Sequence, residues 1–461
     1  MVTSTTFNGS ADVYSWLSSF INLERGQHLK SFCLDRMKAL SLLTGKPEEC
    51  APSIHVAGSK GKGSVTGMIT AILEAAGIKT ARYTSPHVID FRERLTLGSK
   101  FFDEDTYGQA GKELKKLVES LPYSQMADLF DPRLDSGEAP SFFELLTLWF
   151  FLCARHAQVD AMAVETGLGG RLDATNILDP LVSVITLIEL EHTEFLGTTI
   201  KAIAGEKAGI IKPSRPLILA EQTKEAHEVF VEHTSRLKSQ LIYFPDHADI
   251  QDISLSQNGT TFSLILKNPL GTGTEKFDEL FTPMPGVVQA RNAGLSILAV
   301  KTAYPEISTE SIRTGLASFR LPARFERISD RPPVVIDGAH TKNSMELCVN
   351  TFTSLYGKGA ILIFGCAVGK DVSSMAETCI PFFSSIIITT PGTFKVSCPE
   401  EIYKIFSEEA KKKNNTQNIL FTPDTASAIE KAIKLAEEFK LPILGTGSFY
   451  LAAEIRNNIS S

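Results

Sequence analysis

A glycine-rich segment, Gly58-Ser59-Lys60-Gly61-Lys62-Gly63-Ser64, has the residue types that bind phosphate groups. It follows a strand-like apolar run at residues 54–57 and precedes a helix-like stretch at residues 65–76. A glycine turn between a strand and a helix presents backbone N–H groups at the positive end of the helix, and Lys62 can reach the outer phosphates of a nucleotide. The spacing departs from the common Gly-x4-Gly-Lys-Ser/Thr pattern. Taken alone, the segment is therefore also compatible with a glycine turn that carries solvated lysines.

Two further residues, Glu165 and His192, could bind a metal or move a proton. Glu165 follows a second strand-like run, where open α/β sheets place their ligands, and its oxygens suit magnesium. A capping or surface glutamate is equally compatible with that position. His192, among three glutamates, fits a metal ligand, a general base or a surface histidine. Lys207 lies among small residues, and composition alone assigns it no role.

Alternating strand-like and helix-like stretches must position these residues. Apolar runs at residues 161–164 and 182–185 lack strict alternation, which fits parallel strands covered on both faces, and residues 141–156 have helical character. The pattern predicts an α/β domain with a central parallel sheet. Residues 318–333 are rich in proline and arginine, and the second set of strand-like runs that follows them predicts a smaller α/β unit. Asn258-Gly259 between two apolar runs predicts a β-hairpin.

Length and composition limit the possible classes of protein. With 461 residues, two domains are expected. The net charge of −7 argues against a nucleic-acid partner. The seven cysteines form no Cys-x-x-Cys pair, so neither a disulfide framework nor a zinc site is indicated. No signal peptide is visible, and the longest apolar run, residues 145–154, is too short to span a bilayer, so we expect a cytoplasmic protein with no membrane partner.

Taken together, these segments closely resemble the folylpolyglutamate synthase and dihydrofolate synthase family of the Mur ligase superfamily. The family pattern His-Val-Ala-Gly-Thr-Asn-Gly-Lys-Gly-Ser corresponds to residues 55–64, and its Thr-Ser-Pro-His element to residues 84–87. Further matches, in order, are residues 165–176, 192–194, 206–212, 291–293, 322–326, 337–340 and 447–451. The resemblance implies a P-loop NTPase-like, ATP-binding N-terminal ligase domain with a central, mainly parallel sheet, residues 1–322. It also implies a smaller Rossmann-like α/β domain of the Mur ligase C-terminal type, residues 323–461.

The resemblance also implies roles for individual positions. The nucleotide-binding positions are Gly58, Gly61, Lys62, Gly63, Ser64, Asn292, Arg324 and Asp337. The metal positions are Ser85, Glu165, His192 and Lys207, the last as an N-carboxylated lysine. The positions that contact the pterin substrate are Ser141, Phe142, Phe143, Glu144, Leu172, Asp173 and Ala174, with residues 32–35 as a looser match. The catalytic candidates are Lys62, His192, Lys207 and His340, and the general base stays open between the two histidines.

The activity implied is the ATP-dependent ligation of L-glutamate. ATP would phosphorylate a carboxylate of the acceptor, and the glutamate amine would then displace phosphate to form an amide. We expect the acceptor to be the γ-carboxyl of a reduced folate, with dihydropteroate as a second acceptor. The resemblance further implies two Mg²⁺ ions, leaves a monovalent cation open, and leads us to expect a monomer.

The sequence departs from the family pattern in several places. Thr-Asn of the phosphate loop is Ser59-Lys60, and the aspartate before the motif histidine is Glu191. Asn-Pro after His340 is Thr341-Lys342, and a late Arg-Ala element aligns with Lys395-Val396. Two alternatives stay open: a Mur-type ligase for another pair of carboxylate and amino acid, and a nucleotide-switched binding protein without catalysis. The short stretch before the loop disfavours the first, and the set Glu165, His192 and Lys207 disfavours the second.

Overall fold

The computed structural model describes residues 7–22, 33–120, 140–268, 271, 273–392, 396–412 and 418–459. These residues divide into two compact units. The first contains the chain up to Asp252 together with Phe262–Phe281 and Ala290–Phe319, and the second contains Ile253–Thr261, Thr282–Gln289 and the chain from Arg320 onward. The domain boundary between residues 322 and 323 stays a prediction.

The first unit is built on an eight-stranded sheet. Its strands are β1 (Ser53–Ala57), β2 (Thr80–Tyr83), β3 (Leu95–Leu97), β4 (Lys100–Phe101), β5 (Ala161–Glu165), β6 (Val182–Ile185), β7 (Leu217–Leu219) and β8 (Leu241–Tyr243). Their order is β4-β3-β2-β5-β1-β6-β7-β8. The pairs from β2 to β8 are parallel, whereas β3 and β4 add antiparallel pairs at one edge. The predicted central, mainly parallel sheet is confirmed.

The strand β1 lies in the middle of this sheet, between β5 and β6, and all five of its residues are buried. Val56 pairs with Glu165 of β5, and Ala57 pairs with Ile185 of β6. The carboxyl ends of three neighbouring parallel strands therefore meet at one edge of the sheet. This is the edge at which open α/β folds bind ligands.

Helices cover the sheet of the first unit. They are α1 (Ser10–Leu17), α2 (Leu34–Leu43), α3 (Lys62–Ala75), α4 (Glu104–Ser120), α5 (Phe142–His156), α6 (Thr193–Leu196), α7 (Ile200–Ala208), α8 (Lys224–Leu237), α9 (Phe244–His247), α10 (Val287–Ala303) and α11 (Thr309–Ser318). Helix α5 is apolar around most of its circumference, as a helix buried on all sides must be. Its Trp149 and Phe150 are fully buried in the aromatic core between α4 and the sheet.

A separate three-stranded sheet has the order β11-β10-β9, with β9 (Ala248–Ser256), β10 (Gly259–Lys267) and β11 (Thr274–Thr282). The strands β9 and β10 are neighbours joined by Gln257 and Asn258, as the predicted hairpin requires. Both strands are longer than the apolar runs that predicted them, because polar residues continue the pairing where β9 is exposed.

The second unit has its own sheet of six strands. They are β12 (Glu326–Asp330), β13 (Pro333–Ile336), β14 (Ala360–Phe364), β15 (Phe383–Ile388), β16 (Asn418–Phe421) and β17 (Ile443–Thr446), in the order β12-β13-β17-β14-β15-β16. Its helices are α12 (Lys342–Tyr356), α13 (Val372–Cys379), α14 (Pro399–Lys412), α15 (Thr425–Phe439) and α16 (Phe449–Ile459). All strand pairs are parallel except β12 with β13, so the predicted second α/β unit is confirmed.

In the described part of the chain, no helix combines the length and the apolar character needed to cross a membrane. All seven cysteines are free, and Cys153, Cys348, Cys366 and Cys379 are buried.

Candidate active site

The glycine-rich segment forms a tight loop between β1 and α3. Gly58 has a φ of +143°, and a Cβ there would lie 1.8 Å from the Oγ1 of Thr186. Gly61 precedes the helix with a φ of +91°, and a Cβ there would lie 2.7 Å from the Oδ1 of Asn292. Both positions therefore require glycine, because a side chain would be strained and would also clash. The same contact places Asn292, a predicted nucleotide-binding residue, beside the loop.

The loop is attached to the segment that follows β6. The backbone N–H groups of Ser59 and Lys60 donate to the Leu187 carbonyl at 2.8 and 3.2 Å, and the Ser59 hydroxyl donates to the Glu189 carbonyl at 3.0 Å. These bonds bring the acidic segment 189–194 next to the phosphate loop, which the sequence positions alone do not show.

Two lysines share one carbonyl of the loop. Nζ of Lys62 donates to the Gly58 carbonyl at 3.0 Å, and Nζ of Lys207 donates to the same oxygen at 2.8 Å. Lys207 lies at the end of α7 and is 1% exposed. Burial, reinforced by the charge of Lys62, lowers the pKa of Lys207 to about 8.

Glu191 is the carboxylate partner of Lys207, with an Oε1–Nζ distance of 3.0 Å. Burial opposes the ionisation of Glu191, but the charges of Lys62, Lys207, Lys60 and His192 outweigh it and hold the pKa of Glu191 below its usual value. Lys60 therefore belongs to the cationic surroundings of Glu191. His192 is exposed at the start of the short helix α6 and lies within electrostatic reach of the same carboxylate.

Glu165 and Ser85 form a second polar group at the same edge of the sheet. Glu165 ends β5, is 3% exposed, and accepts a hydrogen bond of 3.3 Å from the backbone N–H of Ser85. No group of three or more His, Cys, Asp or Glu side chains placed to hold a metal occurs among the described residues. Magnesium commonly uses one or two carboxylates together with substrate phosphates, so the oxygen donors of Glu165 and Ser85 fit a nucleotide-bound ion.

The predicted substrate segment 141–144 begins α5. The hydroxyl of Ser141 and the carboxylate of Glu144 cap the helix reciprocally. Glu144 also accepts from Nε of Arg36 at 2.9 and 3.1 Å, in an ion pair whose side chains are 5% and 9% exposed. The aromatic residues Phe142 and Phe143 follow the cap, and Phe142 is buried beside Tyr14.

The second substrate segment, residues 172–174, follows the glycines after β5. Asp173 is 5% exposed and accepts from the backbone N–H groups of Gly167 and Leu168 at 2.9 and 2.8 Å. Burial raises the pKa of Asp173, and its hydrogen bonds oppose that shift. Ala174 is buried and Leu172 is half-buried. A Cβ on Gly167 would lie 2.2 Å from the ring of Phe143, so the glycine that bonds to Asp173 lies against the first predicted substrate segment.

The second unit gathers its own predicted residues. Asp337 follows β13 and accepts from the backbone N–H groups of Phe325 and Ala339, both at 2.8 Å. Burial raises its pKa, and the charge of Arg324 opposes the shift. The Arg324 guanidinium lies 4.4 Å from the ring centroid of Phe449, and the His340 ring lies 5.8 Å from the same centroid. Phe449 thus lies beside both the Arg324 and the His340 side chains.

Thr341 caps α12, which accounts for one of the departures from the family pattern. Its hydroxyl accepts from the backbone N–H of Ser344, and the Ser344 hydroxyl accepts from the backbone N–H of Thr341 and of His340. Threonine, which stands here where the family pattern has asparagine, is among the residues favoured as a helix cap. Phe32 of the looser substrate match and Lys395 of the late motif lie outside the described residues.

Two domain families match this chain. The Mur ligase middle domain matches residues 143–300, and the Mur ligase glutamate ligase domain matches residues 323–449. The folylpolyglutamate synthase of Lacticaseibacillus casei is 31% identical over 92% of this chain and 94% of its own length. The dihydrofolate synthase/folylpolyglutamate synthase of Bacillus subtilis is also 31% identical, again over 92% and 94%. The chain belongs to the folylpolyglutamate synthase and dihydrofolate synthase family.

Solved structures of this family share the fold of the chain. Mycobacterium tuberculosis folylpolyglutamate synthase, complexed with ADP and AMPPCP, matches with a TM-score of 0.84 and 27% identity over 98% of both chains. An FPGS–AMPPCP–folate complex matches with a TM-score of 0.81 and 28% identity over 98% of this chain and 100% of the other.

Sequence reasoning missed three residues that the structure places in or beside these sites. They are Arg36, His55 and Phe449, whose ring lies beside Arg324. His55 is a polar residue in an otherwise apolar run, whereas Arg36 lies among other charged residues and has no such signal, and a buried polar side chain needs a partner. That requirement signals a structural role, although it does not identify the partner.

Proposed function

We propose that this chain uses ATP to join L-glutamate to the γ-carboxyl of a reduced folate through an acyl phosphate, with dihydropteroate as a second acceptor. Membership of the family supports the ATP-dependent ligation of glutamate to folate. The relative from Bacillus subtilis bears both activity names, which supports two acceptors.

The observation that carries the proposal is the pair of lysines on the Gly58 carbonyl. The Lys62 ammonium at the start of a helix, beside backbone N–H groups, makes an anion-binding position, and Lys207 lies next to it on the same carbonyl. A triphosphate offers Lys62 better acceptors than one carbonyl, so nucleotide binding would draw Lys62 away and relieve the repulsion on Lys207. Phosphoryl transfer between anionic oxygens requires this neutralisation of charge.

The proposed reaction has two steps. A carboxylate oxygen of the acceptor bonds to the γ-phosphorus of ATP, and the bond from that phosphorus to the β–γ bridging oxygen breaks to release ADP. The glutamate amine then bonds to the acyl carbon, phosphate leaves, and the amine proton passes to a base. His192 and His340 remain the candidates for that base.

Magnesium would supply a further positive charge on the phosphate oxygens. Glu165 and Ser85 are the residues that would hold it, because the first is a buried carboxylate and the second carries a hydroxyl and bonds to that carboxylate through its backbone N–H. The same edge of the sheet carries the phosphate loop, since Val56 pairs with Glu165.

Lys207 is suited to carbamylation. The neutral amine reacts with CO₂ to give a carbamate and one proton, and a pKa of about 8 leaves a substantial neutral fraction near neutral pH. The product is an anion with oxygen ligands in place of a cation. Lys60 and Lys62 then remain as the positive partners of Glu191.

A ligation assay with purified chain tests the proposal. Incubation with ATP, Mg²⁺, radiolabelled L-glutamate and either tetrahydrofolate or dihydropteroate should give a labelled pterin product and ADP. ATP hydrolysis without a labelled amide from any pterin acceptor would show that the ligase proposal is wrong. The ratio of the two rates decides which acceptor is preferred.

A further inference from the structure

A buried histidine on the phosphate-loop strand is linked by hydrogen bonds to the predicted substrate segment. His55 lies in β1, is 0% exposed, and its Nε2 is 2.8 Å from the Oγ1 of Thr175. The Thr175 hydroxyl donates in turn to Oδ1 of Asp173. The proposed function gives His55 and Thr175 no task, although the chain of bonds that they form ends at a predicted substrate residue.

The proton positions follow from the number of donors. A hydroxyl has one proton, and Thr175 gives it to Asp173, so His55 must donate through Nε2–H. Nδ1 is then the unprotonated nitrogen, and it is buried without a hydrogen-bond partner within the described residues. Burial, with a contribution from the charge of Lys212, lowers the pKa of His55 to about 3, so the ring is neutral at physiological pH.

Asp173 uses both of its oxygens on the protein itself. Oδ2 accepts from the backbone N–H groups of Gly167 and Leu168, and Oδ1 accepts from the backbone N–H and the hydroxyl of Thr175. A carboxylate has about four lone-pair positions, and these four donors occupy them. Asp173 therefore holds the backbone of Gly167 and Leu168 in place.

That backbone forms the support of an aromatic residue. Gly167 lies directly against the ring of Phe143, where a Cβ would approach to 2.2 Å. A shift of Gly167 would therefore move Phe143, a residue predicted to contact the pterin, or leave a gap beneath its ring.

We propose that His55 and Thr175 are positioning residues for the acceptor: the chain His55–Thr175–Asp173 fixes the backbone of Gly167 and Leu168 against Phe143. His55 orients the Thr175 hydroxyl, because the oxygen accepts from Nε2–H while its proton points to Asp173. The identity of the acceptor rests on the proposed function, whereas the bond chain does not. The two are therefore tested by different measurements.

Hydrogen exchange tests the bond chain without any substrate. Thr175→Val removes the hydroxyl at nearly constant shape, and Thr175→Ser keeps it. Loss of a hydrogen bond to a charged group should speed exchange of the Gly167 and Leu168 amides by about ten-fold or more in T175V, and not in T175S. The Ser59 and Lys60 amides, which donate to Leu187 instead, serve as the internal reference and should keep their rates. Wild-type protection of residues 167 and 168 in T175V would overturn the proposal.

Steady-state kinetics test the consequence for the acceptor. T175V should raise the KM for the pterin acceptor about ten-fold while the KM for ATP changes less than about two-fold, and T175S should restore the acceptor KM to within about three-fold of wild type. His55→Gln, which can present an N–H near the position of Nε2, should recover more than His55→Leu. An equal rise in both KM values, or no recovery with serine, would overturn the positioning role. If the wild type ligates no pterin at all, the proposed function fails, and the exchange experiment still decides the bond chain.

Discussion

Lys207 and Lys212 lie in one short segment of the first unit, and burial lowers the pKa of each to about 8. Their surroundings differ. Nζ of Lys207 donates to the Gly58 carbonyl of the phosphate loop and to the Glu191 carboxylate. Nζ of Lys212 donates to the Asn176 carbonyl at 2.8 Å, and the nearby carboxylate is Asp179, which pairs with Arg215.

The difference shows that a lowered pKa alone does not identify a reactive lysine. Lys212 supports the segment that follows Asp173, because it holds the carbonyl of Asn176 while the Asn176 side chain donates to the carbonyls of Arg171 and Gly209. Lys207 instead meets a second lysine and a carboxylate at the phosphate loop. Variants of the two lysines and of their neighbouring carboxylates can show whether this contrast in surroundings is also a contrast in function.

Replacing each lysine should give the largest difference. Lys207→Ala should reduce ligation by about a thousand-fold or more, because it removes the charged group that Lys207 contributes at the site of phosphoryl transfer. Added bicarbonate or short carboxylates should restore part of the activity. Lys212→Met, the matched control, should keep ligation within about ten-fold, since only a hydrogen bond to a carbonyl is lost. The measurement is kcat with labelled glutamate, and equal losses in the two variants would remove the contrast.

Carbamylation should distinguish the two lysines next. With ¹³C-labelled bicarbonate, we expect one carbamate resonance that Lys207→Ala abolishes and Lys212→Met retains. At fixed CO₂ the signal should decrease as the pH falls below about 8, because a lowered pKa means that the protonated, unreactive amine dominates only below that pH. A signal that survives Lys207→Ala would assign the carbamate to another amine.

The charge of Glu191 should determine the midpoint of carbamylation, which is the pH at which the carbamate signal reaches half of its maximum. Its charge raises the pKa of Lys207, so Glu191→Gln should move the carbamylation midpoint down by about one pH unit. Glu191→Asp restores the family's usual residue and keeps the charge, so it should move the midpoint less. No shift in the glutamine variant would mean that Glu191 does not control Lys207.

The smallest effect is expected at Asp179, the carboxylate near Lys212. Asp179→Asn removes an exposed ion pair with Arg215 and should cost about 0.2–1 kcal/mol of unfolding free energy, measured by urea denaturation. Ligation and the carbamate midpoint should not change. A change in either would show that the surroundings of Lys212 also act on the site.

The sequence predicted the elements that carry strong patterns. The buried strands β1, β5 and β6 and the helix α5 were predicted from their apolar runs, and the second α/β unit from its own set. Strand β16 was not predicted, because it lies at the edge of its sheet and is half-buried or exposed along its length. An edge strand lacks the continuous apolar run that marks a covered parallel strand.

The site was predicted as a set of residue types rather than as contacts. The bonds from Lys207 to Glu191 and to Gly58 depend on how the loop after β6 returns to the phosphate loop, and local sequence does not encode that return. The partnership of His55 with Thr175 likewise joins the middle of β1 to the segment between β5 and β6, 120 positions away in the chain. The contact of Asp173 with the substrate stays a prediction, whereas its bonds to Gly167, Leu168 and Thr175 could not be read from the sequence.

Transfer of an oxygen isotope from the acceptor to phosphate would report on the acyl phosphate step itself. A folate acceptor labelled with ¹⁸O in its γ-carboxyl, incubated with ATP, Mg²⁺, L-glutamate and the chain, should yield the glutamylated folate and inorganic phosphate that carries one ¹⁸O atom. The label reaches phosphate only if a carboxylate oxygen has bonded to the γ-phosphorus and the amine has then broken the acyl carbon–oxygen bond. Glutamylated product with unlabelled phosphate would contradict the acyl phosphate route, and phosphate release without glutamylated product would contradict the ligase itself.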